Sequence, residues 1–418
     1  MDYGALNSYF DGAVAKTLVA VDISPEKSNQ HELNGTGPLR SLFGDDDIKG
    51  MPTTFVYLED EGDPVFDHGF TTWYDARRRH PTRTEYRLYY NDNKCIAIAH
   101  PGDLMVLALS DAGEVLISFA RAGTTAEAQL RWLFGIGETA DSGFKLAPTD
   151  ELRINSMAAQ ILESIGIEVG IPSAADSYLD GLVDRFGDAF PKGVDFSAYS
   201  ATTLGELDWK DDPDGSLVAC YEREELLFRV FERHILERDL APFLGITLDV
   251  DGVLRTTMSA FQRRKSRAGT AFENQLAMLF NARGIRYSAQ KYTEGKSKPD
   301  FVFPSIDDYH NPSFPVARLT VLGAKTTIKE RWRQVLDEAD RVELKHLVTL
   351  EPAVSSDYTT AMKKDFLQLV VPRPIFPTYT AAQQEWLMDV KGFCEMVEAR
   401  QDDFEFVAAG CGDLGISL

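Results

Sequence analysis

Residues 299–303 are PDFVF, residues 319–325 are LTVLGAK, and residues 328–342 are IKERWRQVLDEADRV. The first two are short apolar runs of the kind that form buried strands, and the third has the spacing of a helix. Asp300 precedes the FVF run, Lys325 ends the second run, and Glu338 lies thirteen residues further along. This order predicts an α/β core in which two strands and a helix bring their polar ends together.

Neighbouring segments extend this core. LKHLVTL (344–350) and FLQLVVP (366–372) are typical of further buried strands, so we expect a mixed sheet. TAFENQLAMLFNARG (270–284) predicts a helix that ends near Gly284, with Glu273 beside its apolar stripe. Residues 329–342 predict a crossover helix. The apolar positions expected to face inward are Phe272, Leu276, Leu279 and Phe280 in the first helix, and Trp332, Val335, Leu336 and Ala339 in the second.

The first 165 residues or so have a different pattern. Short segments such as KTLVAVDI, TTFVYLE, YRLYY, KCIAIAH, DLMVLALS and VLISFA alternate with Gly, Pro, Asn and Asp. This pattern predicts an all-β unit of barrel or sandwich type. The segment GIEVGIPSAADS (166–177) lacks sustained periodicity and indicates a boundary. We therefore predict an N-terminal domain at 1–165, a linker at 166–178 and a C-terminal domain at 179–418.

Composition limits the class of protein. With 418 residues and 44% hydrophobic residues, the chain is long enough for two or three packed domains. Its four cysteines are far apart and have no zinc-ligand spacing, which predicts a reducing, cytoplasmic location and no structural zinc. No run approaches the length of a membrane span, and the N-terminus lacks the pattern of a signal peptide. We expect a soluble, non-secreted protein.

The net charge of -22 at first argues against binding to a polyanion. Its distribution reverses that interpretation, because residues 261–300 contain nine Lys/Arg against three Asp/Glu, whereas residues 201–250 contain five against twelve. A second basic segment contains Arg77, Arg78, Arg79, Arg83 and Arg87, with Glu85 as its only carboxylate. Charge runs are often no more than solvated faces. Two basic segments in an acidic chain favour local anion contacts.

The residue types around Asp300 suit phosphodiester hydrolysis. That reaction needs an activated water and charge compensation at the phosphate, which carboxylate-bound Mg²⁺ supplies. Asp300 and Glu338 are the candidate ligands, and Glu273 could add a further ligand or bind through water. Lys325 suits orientation or deprotonation of the water and charge compensation. Each residue alone also fits a structural role, as a turn aspartate, a strand-end lysine or an exposed helix glutamate. Their joint occurrence in order predicts a metal-dependent nuclease centre.

The runs RRKSRAGTAFENQLAMLF, TEGKSKPDFVFPSIDDYH and AKTTIKERWRQVLDEAD resemble the catalytic domain of EcoRII-like type II restriction endonucleases, over roughly residues 210–375. The resemblance implies a PD-(D/E)XK fold in which the second acidic residue follows the lysine. It assigns Asp300 and Glu338 to the metal, Lys325 to catalysis and Glu273 to an auxiliary carboxylate. Tyr309 and Lys329 match further residues of that centre.

The same resemblance implies DNA contacts. In the family, the residues that open the helix after the catalytic lysine read adjacent G·C pairs, and here they are Lys329, Glu330 and Arg331. Arginine can donate twice to guanine, and glutamate can accept from cytosine. The alternative is a first helical turn with ordinary solvent-exposed charges. We expect a CC...GG-type site, with Arg263, Arg264 and Lys265 as additional DNA contacts.

The segment WYDARRRHPTRTEYRLYYND resembles, more loosely, the DNA-contacting part of the effector domain of that family, a pseudo-barrel with a TR-x-E-x-R pattern. This implies effector DNA contacts from Arg77, Arg78, Arg79, Arg83, Glu85 and Arg87. Tyr86 stands where a lysine is expected, which predicts weak binding or altered specificity. The alternative is a basic hairpin face without sequence preference.

Together these features predict a Mg²⁺-dependent restriction endonuclease that binds two copies of double-stranded DNA. Cutting both strands of a twofold site predicts a homodimer, and a restriction system implies a DNA methyltransferase in the host. Two alternatives stay open: a structure-selective repair nuclease that uses the same centre, and a DNA-binding regulator that does not cleave.

Overall fold

The computed structural model describes residues 5–23, 31–137, 143–147, 154–170, 173–244, 248–328 and 331–412, without the side chains of 173, 174, 265 and 403–412. The chain divides into two compact units. The first comprises Met1–Gly170 with Ala353–Asp357, and the second comprises Ile171–Pro352 with Tyr358–Leu418. The finer limits, with a linker at 166–178, stay a prediction.

The first unit is built on an eight-stranded sheet. Its strands are β1 (Gly12–Thr17), β2 (Glu32–Asn34), β3 (Ile48–Leu58), β4 (Val65–Asp75), β5 (Tyr86–Tyr90), β6 (Leu104–Leu109), β7 (Val115–Ala120) and β8 (Lys145–Ala147), in the order β2-β5-β4-β3-β7-β6-β1-β8. β3 and β7 are parallel, and the other described neighbours are antiparallel. The helices are α1 (Ala20–Ile23), α2 (Gly37–Phe43), α3 (Lys94–Ile98), α4 (Thr125–Leu133) and α5 (Ser156–Ser164).

Both faces of this sheet are buried at its centre. In β6, Leu104 and Val106 belong to an apolar core that α4 and α5 complete, whereas Met105 and Leu107 belong to a second core that α2 completes. Side chains alternate between the two faces of a strand, so a strand covered on both faces is a continuous apolar run. This explains the runs DLMVLALS and VLISFA. The sheet was therefore predictable, but an all-β unit was too narrow a prediction, because helices supply part of each core.

Two predicted strands in this unit are wrong. In KTLVAVDI (16–23), only Lys16 and Thr17 belong to β1, and Ala20–Ile23 form α1. KCIAIAH is not a strand, since residues Lys94–Ile98 form α3. The Asn93 side chain accepts a hydrogen bond from the Ile96 backbone N–H at 2.9 Å, which is an N-cap that starts a helix. Cys95 of α3 is then buried in the core on one side of the sheet, and Ile96 packs against that core.

The second unit has a five-stranded mixed sheet with helices around it. Its strands are β9 (Ser288–Ala289), β10 (Phe301–Phe303), β11 (Thr320–Lys325), β12 (Lys345–Thr349) and β13 (Leu367–Val370), in the order β13-β12-β11-β10-β9. β10 is antiparallel to both β9 and β11, whereas β11, β12 and β13 run parallel to one another. The four predicted strands and the mixed sheet are thus confirmed.

The remaining helices are α6 (Leu179–Phe186), α7 (Gly193–Thr202), α8 (Pro213–Leu240), α9 (Val250–Ala282), α10 (Ile306–His310), α11 (Trp332–Leu336), α12 (Ser356–Lys364), α13 (Ala381–Gln384) and α14 (Val390–Gly412). The predicted helix at 270–284 is the last part of the 33-residue α9, and the chain turns at Gly284 with φ +73°. Short 3₁₀ turns lie at Leu6–Ser8, Ser173–Tyr178, Ala241–Phe243, Val316–Arg318 and Arg373–Thr378.

The predicted crossover helix is much shorter than expected. In the described residues it is α11, which ends at Leu336, and Ala339 has a left-handed φ of +57°. Trp332, Val335 and Ala339 are buried as predicted, while Leu336 is partly exposed. Ala339 reaches the core of the unit from the turn after the helix. The apolar spacing of residues 329–342 therefore predicted correctly that these three residues are buried, but it predicted a helix where the backbone turns after Leu336.

Candidate active site

The antiparallel pairing of β10 with β11 places Asp300 beside Lys325. Phe301 pairs with Leu322, so the residue before β10 lies next to the end of β11. Asp300 Oδ2 accepts hydrogen bonds from the Ala324 backbone N–H at 2.7 Å and from Lys325 Nζ at 2.8 Å. Asp300 is only 6% exposed. A buried carboxylate is stable when donors of this kind compensate its charge.

Gly323 controls how closely α11 packs on β11. A Cβ at this position would lie 2.7 Å from Val335 Cγ2, so a side chain would displace the helix. Glu338 follows shortly after the end of α11, and its Oε2 atom is buried without a hydrogen-bond partner among the described residues. Burial, and next the negative charge of Asp300, raise the pKa of Glu338 to about 7.

Glu273 reaches the same region from α9. The ring of Phe280, also on α9, lies 5.1 Å from the ring of Phe303 in β10 and holds the helix against the sheet. Glu273 Oε2 accepts a hydrogen bond of 3.0 Å from Gln290 Nε2, and the same nitrogen donates to Asp300 Oδ1 at 2.9 Å. Burial raises the pKa of Glu273, and the charge of Asp300 adds to the effect.

Gln290 is a residue of this centre that the sequence did not reveal. It follows the two-residue strand β9 and adopts a φ of +54°, which is uncommon for a residue with a side chain. Its backbone N–H donates to the Asp300 carbonyl at 3.0 Å. A single glutamine in an irregular segment carries no motif, so pattern analysis had no signal for it.

The carboxylates around Asp300 fit a hard divalent cation by their chemistry. Oxygen ligands from Asp and Glu are those that Mg²⁺ prefers, and the unpartnered Glu338 Oε2 is a free acceptor. Within the described residues, no three His, Cys, Asp or Glu side chains are grouped closely enough to hold a metal ion. Asp300 is instead bonded to Lys325, Ala324 and Gln290. The carboxylates suit the cation chemically, but in the described residues Asp300 is hydrogen-bonded to neighbouring protein groups, and the carboxylates are not grouped around one point.

Tyr309 is not among the contacts of Asp300 that the structure describes. Its hydroxyl donates to Glu294 and accepts from the Arg341 backbone N–H at 3.2 Å. Its ring is buried in the apolar core that includes Val302. Burial, together with the hydrogen bond to Glu294, raises the pKa of the Tyr309 hydroxyl. The geometry indicates a structural role, and a role in catalysis remains only a prediction.

Two of the three predicted base-reading residues, Lys329 and Glu330, lie outside the described residues. Arg331 is described, and its side chain is exposed. Its backbone N–H donates to the Ile328 carbonyl at 2.8 Å. The side chain is therefore available to a ligand, while the base contacts themselves stay a prediction.

The basic segment of α9 is partly engaged inside its own unit. Arg264 Nε donates to Glu232 Oε2 at 2.6 Å, and Glu232 is 1% exposed. The Arg263 guanidinium lies 4.7 Å from the centre of the Phe190 ring. The side chain of Lys265 lies outside the described part of the chain. At least two of the three predicted DNA contacts thus have structural partners, which the count of charges could not show.

The five arginines predicted to contact effector DNA lie in β5 or between β4 and β5, and three of them are paired with acids. Arg77 donates to Glu85. Arg87 donates to both Glu85 and Glu32, and these two distances are 2.6 Å. Arg78 donates to Asp47 at 2.5 Å. These ion pairs hold the arginine side chains in place but also occupy their donors.

Arg79 and Arg83 differ from the other three. Both are exposed, and neither has a hydrogen bond or ion pair among the described residues. They lie in the segment between β4 and β5. Of the predicted effector contacts, these two are the ones free to bind an anion.

Among the helices that the structure describes, none has the length and apolar character needed to cross a membrane.

Comparison with known proteins shows what part of the second unit is similar to. Residues 228–394 match a protein-family model described as EcoRII C terminal. This range contains Glu273, Asp300, Lys325 and Glu338. Residues 228–394 are therefore similar to the EcoRII C-terminal family, and the predicted resemblance to type II restriction endonucleases is confirmed.

Two curated relatives match part of the chain. Type II restriction enzyme EcoRII from Escherichia coli is 38% identical over 206 residues, which are 49% of this chain and 50% of that protein. Type II restriction enzyme SsoII from Shigella sonnei is 32% identical over 111 residues, covering 24% of this chain and 35% of that protein. The match thus spans half or less of each relative.

Among solved structures, metal-depleted Ecl18kI in complex with uncleaved, modified DNA aligns with 59% of this chain and 87% of its own, at 17% identity and a TM-score of 0.46. A complex of the restriction endonuclease PspGI with substrate DNA aligns with 55% of this chain and 93% of its own, at 16% identity and a TM-score of 0.39. Likeness at these scores supports no functional argument.

Proposed function

We propose that this chain is a Mg²⁺-dependent, sequence-specific endonuclease that cuts double-stranded DNA in a restriction system. The observation that carries the proposal is the Lys325–Asp300 contact at the joined ends of β10 and β11, inside the region that matches the EcoRII C-terminal family. Two relatives that match part of the chain are named type II restriction enzymes.

Asp300 and Glu338 are the proposed Mg²⁺ ligands, with Glu273 as an auxiliary ligand. When bound there, Mg²⁺ would compensate charge on the phosphate and promote ionisation of a water molecule. Glu338 has the free acceptor oxygen that a ligand needs, but it must give up its proton near pH 7. Glu273 also has a raised pKa and would be held in its ionised form by the same positive charge.

Lys325 is the proposed catalytic lysine. Its ammonium group lies 2.8 Å from Asp300 Oδ2, and the side chain is 22% exposed, so it can also donate to a ligand at this end of β11. We assign to it the orientation of the attacking water and the compensation of negative charge on the scissile phosphate. Tyr309 and Lys329 are secondary candidates for the same centre.

Recognition of a CC...GG-type site is proposed for Lys329, Glu330 and Arg331, with phosphate contacts from the basic segment of α9. Effector DNA would bind to a pseudo-barrel formed by the first unit, where Arg79 and Arg83 are exposed. A homodimer would place two centres on the two strands, and a host methyltransferase would protect the same sites. We place the enzyme in the cytoplasm.

The test is to digest a DNA of known sequence with Mg²⁺ and to map the ends. We expect cuts at a fixed sequence, and cuts at random positions would favour a structure-selective nuclease instead. Asp300→Ala and Lys325→Ala should each lower the cleavage rate at least about a hundredfold while sequence-specific binding survives. Lys364→Ala, which changes an exposed lysine on α12, is the matched control. Normal cutting by both active-site variants would refute the assignment.

A further inference from the structure

Gln290 joins two proposed ligands that come from different parts of the fold. Its Nε2 atom donates to Glu273 Oε2 on α9 at 3.0 Å and to Asp300 Oδ1 before β10 at 2.9 Å. An amide NH₂ group has two hydrogens, so both bonds can form at once. The amide therefore offsets the repulsion between two neighbouring carboxylates in the metal-free protein.

The backbone fixes the position of this side chain. Gln290 has a left-handed φ of +54°, and its N–H donates to the Asp300 carbonyl at 3.0 Å. Residues with a Cβ rarely adopt this conformation, and where they do, the surrounding structure holds them there. This backbone hydrogen bond thus keeps residue 290 next to the carboxylates in every conformation of its side chain.

Both oxygens of Asp300 already accept hydrogen bonds. Oδ2 accepts from the Ala324 N–H and from Lys325 Nζ, and Oδ1 accepts from Gln290. The Ala324 N–H belongs to the strand β11 and cannot leave without breaking the sheet. The Gln290 amide is on a rotatable side chain, and it lies against Asp300 and Glu273 together.

We propose that Gln290 is a positioning residue that competes with the divalent cation. Its amide holds Glu273 and Asp300 in the metal-free protein, and it leaves their oxygens when the cation binds. This inference rests on the proposed function, because it takes Asp300 and Glu273 to be cation ligands. It explains why three carboxylates of suitable chemistry are not already grouped around a common point in the described part of the chain.

The test is to titrate the metal-free protein with Mg²⁺ in the absence of DNA. Calorimetry and the rise in Tm measure the binding. Gln290→Ala removes the amide, and Gln290→Met keeps the length of the side chain without a donor. Hydrogen bonds to charged groups are strong enough that we expect both variants to bind Mg²⁺ about tenfold more tightly. The Tm without Mg²⁺ should fall, because the carboxylates lose their shared donor.

Gln275→Ala is the matched control. Gln275 lies on α9, two positions from Glu273, and its Nε2 donates to Glu224 Oε2 at 2.7 Å. This variant loses the same kind of bond away from the centre, so its Tm should fall while its Mg²⁺ affinity stays unchanged. A purely structural role for Gln290 would give the same result as this control.

The outcomes separate the two proposals. If wild-type protein binds Mg²⁺ and Asp300→Ala abolishes the binding, the centre stands. Unchanged Mg²⁺ affinity in both Gln290 variants then overturns the competition, and weaker binding overturns it as well, because Gln290 would be a ligand. If wild-type binding of Mg²⁺ is absent or does not depend on Asp300, the proposed metal centre fails and this inference fails with it.

Discussion

Glu338→Gln should stabilise the metal-free protein at alkaline pH. Glu338 is partly buried, Oε2 has no hydrogen-bond partner among the described residues, and the charge of Asp300 is nearby. These features favour the neutral carboxyl and raise the pKa of Glu338 from 4.5 to about 7. Glutamine has nearly the same shape and is neutral at every pH, so the variant removes the penalty for ionisation.

The sign and size follow from the difference in pKa. Below pH 4.5 the carboxyl is protonated in both the folded and the unfolded chain, so it contributes no penalty. Between pH 4.5 and about 7, Glu338 ionises mainly in the unfolded chain, so the folded state loses stability. Above about pH 7 the carboxyl ionises in both states, and the loss stays constant. Each pH unit corresponds to 1.36 kcal/mol, and after a discount for the partly exposed side chain we expect about 2 kcal/mol above pH 8.

Urea unfolding in EDTA at pH 5 and pH 8 measures this effect. The free energy of unfolding of Glu338→Gln should be close to that of the wild type at pH 5 and about 2 kcal/mol higher at pH 8. Glu343→Gln, at an exposed glutamate nearby, is the control and should show no such change. Equal gains at both pH values, or a loss at pH 8, would refute the reasoning. Saturating Mg²⁺ should reverse the difference, because the wild type gains a charged ligand.

The remaining predictions concern the arginines and the first unit. Arg83→Ala should weaken effector DNA binding and reduce the salt slope by about 1, with an unchanged Tm. Arg87→Ala should lower the Tm by about 2–4 °C, because Glu32 and Glu85 each lose one ion-pair partner. Arg264→Ala should lower stability by about 2 kcal/mol in urea unfolding, and Glu232→Gln should restore part of it, since a buried carboxylate is otherwise left uncompensated. Deletion of residues 1–170 should remove the dependence of cleavage on a second DNA site, and an unchanged response to added specific oligonucleotide would contradict this.

The strands around the centre could be predicted because their apolar runs have few alternatives. FVF and LTVLGA are fully buried in the sheet, and a buried strand needs little more than such a run between polar ends. The nearness of Asp300 to Lys325 then followed from two strands with adjacent ends. The contact itself depends on an antiparallel register that pairs Phe301 with Leu322, which the spacing did not specify.

Other parts depended on interactions that leave little trace in the sequence. The helix at Lys94–Ile98 begins at the Asn93 cap, a signal that was present but outweighed by the apolar run KCIAI. The shortness of α11 and the left-handed Ala339 had no signal, because alanine favours helices. The position of Gln290 depends on long-range contacts with Glu273 and Asp300.

The number of arginines in a segment therefore differs from the number that are free to bind a ligand. Arg78, Arg87 and Arg264 were as basic in the sequence as Arg83, yet each is held by a carboxylate of its own unit. A ligand phosphate would have to replace that carboxylate, and the ion pair lost would offset most of the gain. Exposed arginines without such partners require no exchange. If the proposed function is correct, affinity for DNA should depend most on the unpaired arginines, while the paired ones should chiefly affect stability and the orientation of neighbouring side chains.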